Sequence, residues 1–285
     1  MPGVLYIVAT PIGNLDDISL RAIATLEAVD LIAAEDTRHS KHLLNHLGID
    51  TRMISCHEHN EESRCGEIMQ RLADGKDVAL ISDAGTPLIS DPGYRLVCAA
   101  RRAGVRVSPI PGANSAIAAL SAAGLATTSF HYYGFLSSKK QQRAAQLEAL
   151  RDQPGTLVLF ESSHRIKGLL RQLSQMFADR HCVIAKELTK LHEQFLAGSA
   201  AELLLRFDAD TALTRGEFVV LIDSSTSDER ERPESDDISL LRVLLDEVPV
   251  KQAVKIAARL GGGKKNDLYQ LALRLRDAGE ANVEM

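Results

Sequence analysis

Cysteine is scarce and unpaired in this chain of 285 residues: Cys56, Cys65, Cys98 and Cys182 stand apart, with no Cys-x-x-Cys pair among them. This excludes a disulfide framework and the common zinc spacings, and all four read as buried structural thiols of a reducing compartment. Long apolar runs are missing too. The longest small-apolar stretch, residues 116–126, is broken by Ser121 and falls short of the roughly 20 residues a membrane span needs. The opening Met1-Pro2-Gly3-Val4-Leu5-Tyr6-Ile7-Val8 lacks a basic region and a cleavage site, so no secretory leader is expected and the expected location is cytoplasmic, away from membranes. Phosphate-cradling glycine motifs are also absent. No G-x-x-x-x-G-K-[ST] occurs, and the loop after the first apolar run holds one glycine where a dinucleotide fingerprint needs three, so P-loop and dinucleotide chemistry lose support. No low-complexity tract and no repeat at solenoid spacing is present.

What remains is a globular composition, 45% hydrophobic and 25% charged, on a chain long enough for two domains of roughly 100–200 residues each. Short runs rich in Val, Ile and Leu recur at residues 4–9, 31–34, 78–81, 105–110, 156–160, 182–185 and 218–222. Between them, residues 18–28, 63–73 and 94–103 have helical periodicity, the last two ending at Gly75 and Gly104. The alternation predicts an α/β fold built from parallel βαβ units. A polar, basic stretch, Ser137-Ser138-Lys139-Lys140-Gln141-Gln142-Arg143, places a junction near Phe135. The expected division is an N-terminal α/β domain at 1–135, a second at 136–225, an acidic linker at 226–237 and a helical appendix at 238–285. Three helices are expected in the appendix, over 238–247, 250–260 and 265–277. The net charge of −5 hides an asymmetry: residues 249–276 carry seven basic side chains against Asp267, a local +6, behind a segment with eight acids and three bases. That tail is a candidate phosphate footprint.

Several loops follow apolar runs, where an open α/β sheet exposes its ligand crevice. Thr10-Pro11-Ile12-Gly13-Asn14-Leu15 follows the first. Ser82-Asp83-Ala84-Gly85-Thr86-Pro87, continuing to Ser90-Asp91-Pro92-Gly93, crowds acids, glycines, prolines and hydroxyls into one long connection. Pro109-Ile110-Pro111-Gly112-Ala113-Asn114-Ser115 opens a helix of tiny residues from Ala116, with Asn114 or Ser115 as its cap. Ala34-Glu35-Asp36-Thr37-Arg38 and Cys56-His57-Glu58-His59-Asn60 add ionisable groups that either border a crevice or serve as ordinary ion pairs and caps. His39, His42 and His46 have helical spacing and read as a solvated face, so no metal site is expected. In the second half, Phe160-Glu161-Ser162-Ser163-His164-Arg165 and Lys186-Glu187-Leu188-Thr189-Lys190 stand where apolar strands turn polar.

Taken together, these segments resemble the tetrapyrrole-methylase superfamily and, within it, the ribosomal RNA small-subunit methyltransferase I family. The resemblance rests on residues 10–15, 33–38 and 82–88, on Asp91-Pro92-Gly93, Phe160-Glu161-Ser162, residues 187–190 and Gly216-Glu217, and in the tail on residues 250–257 and Gly263-Lys264-Lys265-Asn266-Asp267-Leu268-Tyr269; Pro111-Gly112-Ala113-Asn114-Ser115 departs from the family pattern. It implies two α/β domains with S-adenosyl-L-methionine in the cleft between them, a homodimer, and methylation of a ribose 2′-hydroxyl on a cytidine in the decoding region. The partner would be small-subunit (16S) ribosomal RNA or the assembled 30S subunit. The donor contacts it implies are Pro11, Asp83, Ala84, Gly85, Thr86, Ser115, Ala116, Phe160, Leu188 and Glu217. Proton transfer falls to Glu187 with Lys186 or to Glu35 with Arg38, with Glu58 as a further candidate base. RNA contacts are expected from Lys139, Lys140, Arg143, Arg165, Lys251, Lys255, Lys264 and Lys265. Two other readings stay open: a small-molecule tetrapyrrole methylase, and a non-catalytic ligand sensor binding nucleic acid through a helix-turn-helix tail.

Overall fold

The computed structural model describes residues 1–224, 234–259 and 265–280. It divides into two units, residues 1–225 and 226–285. The larger unit holds two five-stranded sheets.

The first sheet contains β1 (Val4–Val8), β2 (Leu31–Ala34), β3 (Met53–Ser55), β4 (Val78–Ile81) and β5 (Arg106–Ile110), in the order β3-β2-β4-β1-β5 and parallel throughout. Every residue of β2 and β4 is buried because helices cover both faces, as a parallel sheet requires. Those helices are α1 (Leu20–Ala28), α2 (Thr37–Leu47), α3 (Glu61–Ala73) and α4 (Tyr94–Arg102). Local chemistry sets their ends: the Ser19 hydroxyl accepts from the Ala22 N–H at 3.1 Å, and Gly48 closes α2 in the left-handed conformation. From β1 the chain leaves toward β2, whereas from β4 it leaves across β1 toward β5. The ends of adjacent β1 and β4 therefore form a topological switch point, where open α/β sheets bind ligands.

The second sheet contains β6 (Phe130–Phe135), β7 (Thr156–Ser162), β8 (His181–Lys186), β9 (Gln194–Ser199) and β10 (Glu217–Ile222), in the order β6-β7-β10-β8-β9. The parallel pairing here is β6 with β7, while β10 pairs antiparallel with β7 and β8, and β8 with β9, so the expected parallel βαβ units describe the first sheet and the β6–β7 unit. The reason is connectivity: β8 and β9 are joined by a short loop, which brings the chain straight back antiparallel. Helices α6 (Lys140–Leu150), α7 (Ile166–Met176) and α8 (Ala200–Ala209) cover one face, around Leu159, Leu170, Ile184, Leu203 and Phe207.

Helix α5 (Ser115–Ala122) joins the halves. Its Ala116, Ala119 and Leu120 pack on Val158, Val183, Ala185, Val219 and Leu221 of the second sheet. Alanine lets the helix axis approach the sheet closely, and Ala119 is fully buried. Replacing Ala119 with Leu should overpack this joint and lower stability by about 1–3 kcal/mol, read from the denaturant midpoint at unchanged slope.

The smaller unit is helical among its described residues: α9 (Glu234–Glu247), α10 (Val250–Arg259) and α11 (Lys265–Glu280). Leu241, Ala253, Val254, Ala257, Leu268 and Ala272 form its core. Helix α9 starts four residues before the expected 238, inside the segment read as linker; the rest of that acidic stretch lies outside the described residues. Of the cysteines, Cys56 and Cys182 are buried as expected, while Cys65 and Cys98 are only half-buried.

Candidate active site

Three loops meet at the switch point. The Thr10 N–H donates to the Gly85 carbonyl at 2.9 Å and the Gly85 N–H returns a bond to Thr10 at 3.1 Å, fastening the loop after β1 to the loop after β4. The Thr86 hydroxyl donates to the Ala113 carbonyl at 3.1 Å, adding the loop before α5. Asn114 caps that helix, its side-chain oxygen accepting from Ala116 and Ile117 N–H at 3.1 and 3.2 Å. A fourth connection comes from the second half. Asn14 N–H donates to Thr189 Oγ1 at 3.0 Å, and Gly13 passes so close that a Cβ there would stand 2.8 Å from the Leu188 carbonyl.

These loops enclose a cavity of about 420 Å³, within the range of small-molecule sites. Ile12, Glu35, Asp83, Ala84, Gly85, Thr86, Asn114 and Ser115 line it from the first half, with Ile89, Ser90 and Asp91; Phe135, Phe160, Ala185, Leu188, Glu217 and Val219 close it from the second. Among the described residues, four that are not glycine hold positive φ, Leu88, Ser90, Glu187 and Thr189, all on the loops that bring the halves together. Backbone strain of this kind persists where the surroundings over-determine it, and it concentrates at functional sites.

The lining is acidic. Burial pushes the Asp91 carboxyl up to about 6, helped by the nearby charges of Glu35 and Asp83 and opposed by a hydrogen bond from Ser82. Glu35 is also raised, first by burial, while its Oε2 accepts the Asp83 N–H at 3.3 Å. Asp83 in turn accepts the Asp36 N–H at 3.0 Å, tying the ends of β2 and β4 together.

Of the residues expected to hold a donor, Asp83, Ala84, Gly85, Thr86, Ser115, Phe160, Leu188 and Glu217 line the cavity. Pro11 and Ala116 are buried and do not line it. The expected acid–base pairs are not assembled there. Strand alternation puts Lys186 with Cys182 and Ile184, on the sheet face turned from α5. Glu187 is engaged elsewhere: its Oε1 accepts from Lys190 Nζ at 3.0 Å and from the Glu217 N–H at 2.9 Å. Burial would raise its carboxyl, but those donors hold it below the ordinary range. Arg38 pairs with Asp36, not with Glu35, and is 91% exposed, and Glu58 is exposed on the turn before α3.

Two expected RNA contacts are corrected as well. Arg143 is buried, its Nε donating to Gln172 Oε1 and its guanidinium 4.0 Å from Glu161. Arg165 pairs with the same carboxylate at 3.0 Å and donates to the Leu136 carbonyl. Both serve the interior of the second half, as partners of a buried acid. Lys139, Lys140, Lys251 and Lys255 are exposed. Lys264 lies outside the described residues, and Lys265 opens α11. Asp91, Ile12 and Phe135 complete the site although none was singled out as a contact; Asp91 stood in a quoted motif, and Phe135 is the end of an aromatic strand that apolar-run counting passed over.

Residues 4–204 match the family model described as Tetrapyrrole (Corrin/Porphyrin) Methylases, and residues 231–276 match that of the RsmI C-terminal HTH domain. Ribosomal RNA small subunit methyltransferase I of Escherichia coli O157:H7 is 46% identical over 272 residues, covering 95% of both chains. The protein of that name from Pseudomonas aeruginosa is 47% identical, covering 95% of this chain and 97% of its own. In fold the chain is similar to a diphthine synthase crystal structure, with a TM-score of 0.63 at 19% identity over 79% of this chain and 91% of the other. A uroporphyrin-III-C-methyltransferase from Thermus thermophilus gives 0.56 at 22% identity, over 78% and 94%. The chain belongs to the tetrapyrrole methylase family and, within it, to the ribosomal RNA small subunit methyltransferase I family.

Proposed function

We propose that this protein transfers a methyl group from S-adenosyl-L-methionine to the ribose 2′-hydroxyl of a cytidine in the decoding region of small-subunit ribosomal RNA, working as a cytoplasmic homodimer. The observation that carries the donor assignment is the acidic cavity at the switch point. Among the described residues its charged lining is Glu35, Asp83, Asp91, Glu161 and Glu217, with no lysine or arginine; Glu161 pairs with Arg143 and Arg165 and Glu217 with Lys190, so Glu35, Asp83 and Asp91 are the acids that suit a cationic sulfonium ligand without phosphates. Ala84, Gly85 and Ser115 leave the backbone open to close approach. When bound, the donor supplies an electrophilic methyl group. The protein aligns the ribose oxygen with it and removes the hydroxyl proton. Asp91 and Glu35 are the carboxylates we assign to that removal, because both border the cavity and burial raises both toward working pH.

We further propose that the two α/β halves, expected at 1–135 and 136–225 but with β6 (Phe130–Phe135) belonging to the second sheet, divide donor and substrate binding between them, and that the helical unit after residue 238 docks the RNA. Support for docking is the stripe Lys251, Lys255 and Arg259, one helical turn apart and exposed on α10. Replacing Lys251 and Lys255 with Ala should weaken RNA binding and reduce the slope of log affinity against log salt by about one unit per lost phosphate contact, with donor affinity unchanged. An identical salt slope would place the RNA elsewhere. The function itself is tested by offering labelled donor with small subunits, naked small-subunit RNA or tetrapyrrole precursors. Label is expected in RNA; label in a tetrapyrrole, or in nothing, refutes the reading.

A further inference from the structure

Aromatic residues are few in this protein, seven Phe and five Tyr with no Trp, yet four of them stand in the six residues of β6: Phe130, Tyr132, Tyr133 and Phe135. This is an edge strand, and Phe130, Tyr133 and Phe135 are exposed. A β-bulge decides where they face. Phe130 pairs with Thr156 and Tyr132 with Val158, but the register shifts so that Gly134 meets Leu159 and Phe135 meets Phe160. Strict alternation would turn Phe135 to the face opposite Tyr132; the extra residue returns it to the cavity side. Gly134 makes the bulge feasible, with φ of +62° and a neighbour, Ser90 Oγ, 2.5 Å from where a Cβ would sit. The Phe135 ring lies edge-to-face on Phe160, centroids 5.6 Å apart, lines the cavity and is still 55% exposed. Four and five residues further on, Lys139 and Lys140 are exposed at the start of α6.

We propose that Phe135 is the stacking platform for a nucleobase of the RNA substrate, presenting its nucleotide to the cavity while Lys139 and Lys140 hold the adjoining phosphates. A half-exposed ring at a cavity wall offers a π-face to an unstacked base, and single-stranded RNA is held by such rings beside basic side chains. Phe135 is the one exposed aromatic of this strand that lines the cavity, so a polymer reaches its ring from outside. This inference rests on the RNA methyltransferase reading above and specifies its substrate side.

The test compares parent, Phe135→Ala and Phe135→Trp in the full-length protein by three measurements: donor affinity by calorimetry, KM for small subunits, and mass-spectrometric mapping of ultraviolet cross-links to RNA. Phe135→Ala should raise KM by about 10- to 100-fold, from the usual worth of one stacked base, and lose a cross-link that the parent shows at Phe135. Donor affinity should stay within about twofold, and Phe135→Trp should restore KM. Parallel loss of donor affinity would make the ring an adenine contact and overturn the proposal. Unchanged KM and cross-linking would overturn it too, as would a shift of Phe135→Ala to a smaller sedimenting species, which would make β6 a subunit interface. If the parent transfers no methyl to RNA, the functional reading fails; if the parent does and Phe135→Ala matches it, this inference alone fails.

Discussion

Gly85→Leu is expected to lower donor affinity by at least about 100-fold, roughly 3 kcal/mol, in a chain that still folds. Gly85 is buried in the cavity lining with φ of +83°, and it exchanges both backbone hydrogen bonds with Thr10. Even a Cβ there would stand 3.3 Å from Ile12 Cγ2, so a longer side chain has only the ligand space to enter. The left-handed backbone itself would cost about 1–2 kcal/mol of stability in any L-residue. Gly48→Leu separates the two effects, because Gly48 has a similar φ of +71° with nothing within 4 Å and lies at the end of α2. It should lose similar stability and keep parental donor binding. Calorimetry on both variants checks this, and parental affinity in folded Gly85→Leu would remove the donor from this cavity.

Asp91→Asn should slow single-turnover methyl transfer by about 10²- to 10⁴-fold, the usual worth of a general base, while donor affinity changes only a few-fold. In the parent the rate should rise as pH passes through about 6, where Asp91 ionises, and the variant should lack that limb. Stability should move the opposite way. The folded protein holds this carboxyl above its ordinary 3.8, so ionisation penalises the native state: the penalty is absent below pH 4 and complete above pH 6. Asp91→Asn is therefore expected to be more stable than the parent at pH 8, by about 1–2 kcal/mol after allowing for solvent screening of a partly exposed group, and equal to it below pH 4. Thermal melts at the two pH values read this directly. A variant with parental turnover would return proton removal to Glu35.

Much of the first sheet was legible because parallel, doubly covered strands are continuous apolar runs, as in Leu31-Ile32-Ala33-Ala34 and Val78-Ala79-Leu80-Ile81, each fully buried. Strands without such runs were missed. Met53–Ser55 is three residues long, Gln194–Ser199 is half polar, and Phe130–Phe135 is an aromatic edge interrupted by a bulge. The loops of the site were legible too, since glycine, proline and acids crowd only where backbones must approach one another or a ligand. Which acids face the cavity was not. That depends on strand parity at Lys186 and on the competing partners of Glu187, which are Lys190, three residues on, and the Glu217 N–H, 30 residues on. Burial of Arg143 was equally hidden, because a cation in a polar stretch looks solvated until its partners, Glu161 and Gln172, are seen to reach it from β7 and α7.

The central claim, methyl transfer to a ribose oxygen of small-subunit RNA at the acidic cavity, is tested most directly by the chemical form of the product. Small subunits are incubated with the protein and donor labelled in its methyl group, and the recovered RNA is hydrolysed completely in alkali. Alkaline cleavage needs a free 2′-hydroxyl, so label on that oxygen must survive in a dinucleotide, expected here to begin with cytidine and to be missing with Asp91→Asn and with Gly85→Leu. Label released in mononucleotides would mean a methylated base, and would contradict the account.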